Sequence, residues 1–287
     1  MVRRFRNDGF SLTEVLIAAG ILTVGFVLIA GTFPVGIKLT ALATERTIGA
    51  VASDEAFAKI QLYGFHPAYS DPSSWPSQYW LNPNDPNTAC VDYAYVAPPW
   101  FRVNEYAYPD FVYPEFAYPS TDTEDEKKYY WSAICRHIVK TGDVQVTVFV
   151  SRTMGFNVNY PYWDEVSDRW ETINYPRPVL VRVTMSVPGI LDIIVGTNLA
   201  PAEYVRDGSI LVDAVSGQVL RVLERKHIEV SDRDIVMLAD LVSTDKLSGW
   251  LWVIPPSVEA IIGMEQEAPA VTGRYPCVGV YQRVLVQ

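Results

Sequence analysis

Val15 to Val35 is a run of 21 residues without a charge, and it limits what this chain can fold into more than any other feature. As a helix it would be about 31 Å long, close to the roughly 30 Å of a bilayer's hydrocarbon core. The run therefore predicts a transmembrane helix over about residues 12–35. Ahead of it, Arg3, Arg4 and Arg6 stand against Asp8. Basic flanks are retained in the cytoplasm, which places the N-terminus inside and the following chain outside. A cleaved signal peptide is the competing reading, and Ala41-Leu42-Ala43 offers it a small-residue site. Its apolar region is only about 7–15 residues long, however, and here Lys38 interrupts the approach to that site.

Glu14 does not suit a plain anchor. A carboxylate at the edge of lipid is costly and marks function by default. It closes Gly9-Phe10-Ser11-Leu12-Thr13-Glu14 and is followed by Val15-Leu16-Ile17-Ala18. The short basic leader, the Gly-Phe junction, the glutamate and the apolar helix together resemble the prepilin signal of type IV pilins and type II secretion pseudopilins. The resemblance covers about residues 1–64. It implies that a prepilin peptidase cuts between Gly9 and Phe10 and N-methylates Phe10. It implies too that Glu14 meets the terminal amine of a neighbouring subunit during assembly. The partners it brings are that peptidase, other pilins or pseudopilins in a filament, and the bacterial inner membrane. The chain would cross that membrane once, then enter a periplasmic or extracellular filament. Elementary chemistry agrees: glycine leaves backbone open to a protease, and an amine and a carboxylate tolerate an apolar core when paired. Loss of residues 1–9 removes three arginines and one aspartate, moving the net charge from −10 to −12.

The helix is expected to continue to Tyr63-Gly64, with Leu42, Ile48, Val51, Ala52, Ala56 and Ile60 approximating one stripe. Pro34, between Gly31 and Gly36, should break or kink it, because proline cannot donate to the carbonyl four residues back. Residues 65–131 hold ten of the 20 prolines and eighteen aromatics, including a period-five repeat from Ala107 to Pro119. Such proline density predicts an extended, polyproline-like insertion. Its rings either stack as a surface for sugar or a neighbouring subunit, or pack on their own domain. The run Asp122–Glu126 lacks the glycine and alternation of a calcium loop and reads as solvated charge. Cys90 and Cys135 flank much of the insertion and are expected to pair in an oxidising compartment, with Cys277 free.

Residues 132–287 read as β-rich. Val144–Val150 and Val179–Met185 alternate, and Ile210–Val212 and Val219–Leu223 flank a turn at Ser216-Gly217. Trp250–Ile254 and Val278–Val286 look like closing strands. The fold class is thus α+β, pilin-like: a long N-terminal helix packed on an antiparallel sheet, with the aromatic, proline-rich insertion between them. The pattern leaves room for a second small β unit from about 197 onward.

The net charge of −10 argues against a general nucleic-acid binder, which needs a dense basic footprint. The group Arg221, Arg225, Lys226 and His227 reads as an ordinary polar strand edge. Three cysteines with no CxxC pair, and the scattered His66, His137 and His227, provide no metal site and call for no cofactor. Ser243-Thr244-Asp245-Lys246 matches SxxK without any partner motif, so a non-enzymatic filament subunit, minor by its bulk, is the expectation. The runner-up is an exported binding module that stays anchored, uses 65–131 to hold glycan or another surface ligand, and does not polymerise.

Overall fold

The structure, a computed structural model, describes residues 11–65, 90–93, 116–119, 128–138, 140–153, 158–164, 169–194, 200–229, 233–240, 242, 247–258 and 271–286. The chain divides into two compact units, Met1–Thr47 and Ile48–Gln287. One helix, α1 (Leu12–Tyr63), belongs to both.

In the first unit α1 is apolar and exposed all round, with Phe26 and Leu28 each 63% accessible. From Thr23 onward its threonines satisfy their hydroxyls inside the helix. Thr23 donates to the Ala19 carbonyl at 2.7 Å, Thr40 to Gly36 at 2.9 Å and Thr47 to Ala43 at 3.0 Å. Such back-bonding lets a hydroxyl enter lipid at low cost. The sequence led to the expectation of a break or kink at Pro34, whereas α1 runs through that residue without interruption. Proline withholds a single donor, and Thr32 in the turn before it anchors to the Leu28 carbonyl at 3.0 Å. At the far end Gly64 takes φ 69° and donates to the Ile60 carbonyl at 2.9 Å, the left-handed stop that glycine adopts without strain.

Thirteen strands follow among the described residues. They are β1 (Val91–Asp92), β2 (Ala117–Tyr118), β3 (Tyr129–Ile138), β4 (Asp143–Arg152), β5 (Tyr160–Asp164), β6 (Arg169–Ile173) and β7 (Val179–Val187). After them come β8 (Ile190–Ile193), β9 (Ile210–Asp213), β10 (Val219–Ile228), β11 (Arg233–Leu238), β12 (Trp250–Val253) and β13 (Cys277–Leu285). All described pairings are antiparallel.

The first sheet is built on the β3–β4 hairpin, in register from Tyr129↔Arg152 to Ile138↔Asp143. Its outer strand on one side is β13, with Leu285 opposite Val144. On the other side β1 and β2 share the edge of β3, Val91 opposite Cys135 and Ala117 opposite Tyr130. Residues of α1 cover one face, where Ala52, Ala56, Phe57 and Ile60 meet Trp131, Ala133, Val144, Val146, Val148, Val150 and Leu285. The stripe differs from the one the sequence suggested: Val51 is 49% exposed, while Gly49, Ser53 and Phe57 face inward. Close approach decides this. A Cβ on Gly49 would lie 2.8 Å from the Tyr281 hydroxyl, so small residues let helix and sheet meet.

The remaining large element is a closed barrel of β7, β8, β11, β10, β9 and β12. Val181, Val183, Leu191, Leu211, Leu220, Val222, Val236, Leu251 and Val253 fill its interior. Because β7 and β8 are part of it, this second β unit starts at Val179 rather than near 197. Its β9–β12 side lies on the sheet face opposite α1, where Val212, Ala214, Trp252 and Ile254 pack on Cys90, Ile134 and Phe149. The sheet is therefore covered on both faces. That explains why β4 is buried almost throughout although its sequence alternates.

Of the insertion at 65–131, most lies outside the described residues, including residues 94–115 of the Tyr-Pro repeat region. Its described ends bury their rings on their own domain. Phe116 packs against Trp131 with the rings tilted by 59° and centroids 4.8 Å apart, and the Tyr93 hydroxyl donates to the Gly64 carbonyl at 2.8 Å.

Candidate functional site at the head of the apolar helix

Ser11 is the residue just before α1, and it and Glu14 satisfy each other. The Ser11 N–H donates to Glu14 Oε2 at 3.0 Å, and the Glu14 N–H donates to Ser11 Oγ at 3.3 Å. This is a reciprocal cap: two of the donors that a helix start leaves without partners are used, and a carboxylate sits at the positive end of the dipole. The Thr13 hydroxyl lies 2.5 Å from Ser11 Oγ. Every one of these groups is exposed, and immediately beyond them come Val15, Leu16 and Ile17, themselves more than half exposed. The arrangement is a lone carboxylate on a polar cap, followed by an apolar rod. Gly9 and Phe10, the expected cleavage pair, lie outside the described residues. The Ser-x-x-Glu spacing was visible in the sequence and marks a capping box, a role the sequence reading did not assign.

The cysteines correct an expectation. Cys90 and Cys135 come to neighbouring strands, yet both are free thiols. Val91 is the residue opposite Cys135, so Cys90 is one position out of phase. Successive strand residues point to opposite faces. Accordingly Cys135 faces α1 and Cys90 faces the barrel. Sulfur atoms on opposite faces of a sheet cannot be bridged without moving backbone. Burial pushes the Cys90 thiol up to about 12, against the lowering influence of Arg136. It raises Cys135 as well, with Asp92 adding to the effect, and Cys277 goes up to about 12. These are inert, protonated groups.

Elsewhere several of the described charged residues pair with one another. Arg225 donates through Nε and Nη2 to Asp234 at 3.1 and 2.7 Å, Lys226 lies 3.1 Å from Glu224, and His227 Nδ1 lies 3.5 Å from Asp234. The basic group on β10 is thus largely neutralised by its own acids. Buried Asp92 accepts from Arg177 at 2.9 Å. Asp213, fully buried, collects five donors: Val215 N–H, Ser216 N–H and hydroxyl, and Ser248 N–H and hydroxyl. It fixes the β9–β10 turn to the start of β12, a structural task. Among the described residues no group of three or more His, Cys, Asp or Glu side chains is placed to hold a metal ion. His66, Asp122–Glu126 and Ser243–Lys246 lie outside the described residues.

The class of chain this defines is coarse but definite: one N-terminal helix long and apolar enough to cross a membrane, followed by a mostly β, antiparallel remainder. No family model, curated protein or solved structure matches it.

Proposed function

We propose that this chain is a minor pilin or pseudopilin-like structural subunit of a type IV pilus or type II secretion filament, processed by a prepilin peptidase. One observation carries the reading. A single continuous helix begins with a lone glutamate and an exposed apolar rod, and ends with a small-residue face seated on an antiparallel sheet. An apolar rod of that length is stored in a bilayer before assembly and packs among other helices afterwards. In that core the amine freed at Phe10 and the Glu14 carboxylate of a neighbour neutralise each other, where either alone is costly. The subunit works by assembly and carries no chemistry of its own. Co-expression with a prepilin peptidase tests the first step: the expected product begins at N-methylated Phe10, read by intact mass and N-terminal fragmentation. A chain that keeps Met1–Gly9, or is cut after Ala43, overturns the reading.

The barrel favours a second reading, because it has an interior core of its own and so suits a binding module held permanently on an anchor. Processing at Gly9 without recovery in sheared filaments selects that reading.

A further inference from the structure

We infer that the chain divides its work between two parts: α1 and the first sheet carry incorporation, and the barrel between Arg152 and Cys277 is a carried module that incorporation does not need. The inference rests on the filament reading above. Topology is its first ground. The chain leaves the sheet at the end of β4 and returns to it as β13, the strand paired with β4. At the junction Ser151 is opposite Cys277, and the Arg152 N–H donates to the Pro276 carbonyl at 2.9 Å. The barrel therefore occupies the place of a hairpin turn between two adjacent strands, and its ends already touch.

Its core is the second ground. Nineteen buried residues between Trp170 and Val258 form one cluster, and it shares no member with the cluster beneath α1. The barrel is closed, so its six strands leave no edge that the sheet must complete. The third ground is placement. The barrel lies on the face of the sheet opposite the one that Ala52, Ala56, Phe57 and Ile60 cover. The α1 side of the sheet is thus built without it. A module attached in this way can serve a partner other than a filament neighbour.

The experiment compares three full-length chains for cleavage, recovery in sheared filaments, and hydrogen exchange in β3, β4 and the barrel. Val236→Asp puts a charge at a position with no solvent access inside the barrel. It should open the barrel to exchange while β3 and β4 remain protected, and leave the filament recovery within twofold of wild type. Phe57→Asp, on the α1 face, should cut recovery at least tenfold. A third variant, shortened, replaces 153–276 with an Asn-Gly turn and adds Ile134→Thr, Phe149→Thr and Val280→Thr to wet the uncovered face; it too should be recovered. Loss of recovery in Val236→Asp, or loss of protection in β3 and β4, overturns the division. Absence of the wild-type chain itself from filaments overturns the filament reading instead.

Discussion

The Glu14 carboxylate already has a donor within its own chain, the Ser11 N–H at 3.0 Å, so two roles compete for it. A cap needs only an acceptor and is worth about 1 kcal/mol. Neutralising a buried amine needs the charge, and an unpaired charge there costs on the order of 3–5 kcal/mol. Glu14→Gln separates the two, since it keeps an acceptor for Ser11 and loses the charge. The expected outcome is normal insertion and cleavage after Gly9, read by mobility on an immunoblot, with loss from the sheared filament fraction. Normal incorporation of Glu14→Gln reduces the residue to a helix cap. The buried thiols make a second residue-scale prediction. Cys90 and Cys277 hold their protons up to about 12, whereas an unfolded thiol releases its proton near 8.5. A raised folded pKa means stability that is fully present below about pH 8 and is lost as pH rises towards 12. Each unit in that window costs about 1.4 kcal/mol per thiol. Denaturant midpoints at pH 7 and pH 10 should fall for the wild type and fall less for Cys90→Ala. A native chain that reacts rapidly with a thiol reagent at pH 8 contradicts this.

At the scale of elements, the α1–sheet contact depends on Gly49, whose missing Cβ leaves room for Tyr281 and Val278. Gly49→Val should destabilise the folded domain by about 1–3 kcal/mol through overpacking, measurable as a lower urea midpoint at unchanged slope. The sequence suggested a stripe through Val51 because it counted apolar residues, while the structure selects small ones at that crossing. The same limit appears in the strands. Val144–Val150, Val179–Met185 and the segments around Ser216-Gly217 are legible because alternation and a glycine turn are local signals, and β4, β7, β9 and β10 stand there. β8 and β11 were missed, although Pro188-Gly189, with φ 78° at Gly189, marks the turn into β8. Which strand closes on which was not legible. β12 joins β7 to β9 through pairings distant in sequence, and no local pattern encodes them. Cys90 and Cys135 failed for a related reason: sequence shows that both flank a segment, but only register shows that they face opposite ways.

For the molecule as a whole, the decisive seam in Ile48–Gln287 lies between sheet and barrel, and Trp252 reports on it alone. On β12 its neighbours Leu251 and Val253 point into the barrel, while its own ring packs on the sheet side with Ile134 and Phe149. Polar contacts reinforce the seam: Arg136 donates to the Val215 carbonyl at 3.2 Å and Gln282 to the Gly217 carbonyl at 2.7 Å. Both reach the β9–β10 turn that Asp213 holds in shape. Truncating a buried tryptophan costs about 3–5 kcal/mol, and here the loss falls on the joint, leaving both cores filled. The division into sheet and barrel implies two unfolding transitions, and Trp252→Ala should lower both by weakening the joint they share, with β3 and β4 still exchanging at different denaturant concentrations from β7 to β12. Leu251→Ala removes a comparable apolar side chain from the barrel interior instead, so it should lower the barrel's transition by about 2–5 kcal/mol and leave the sheet's in place. Hydrogen exchange of the full chain in detergent, followed strand by strand, distinguishes the two. If Trp252→Ala shows a single transition at a lower midpoint, sheet and barrel fold as one unit and the seam is part of a common core.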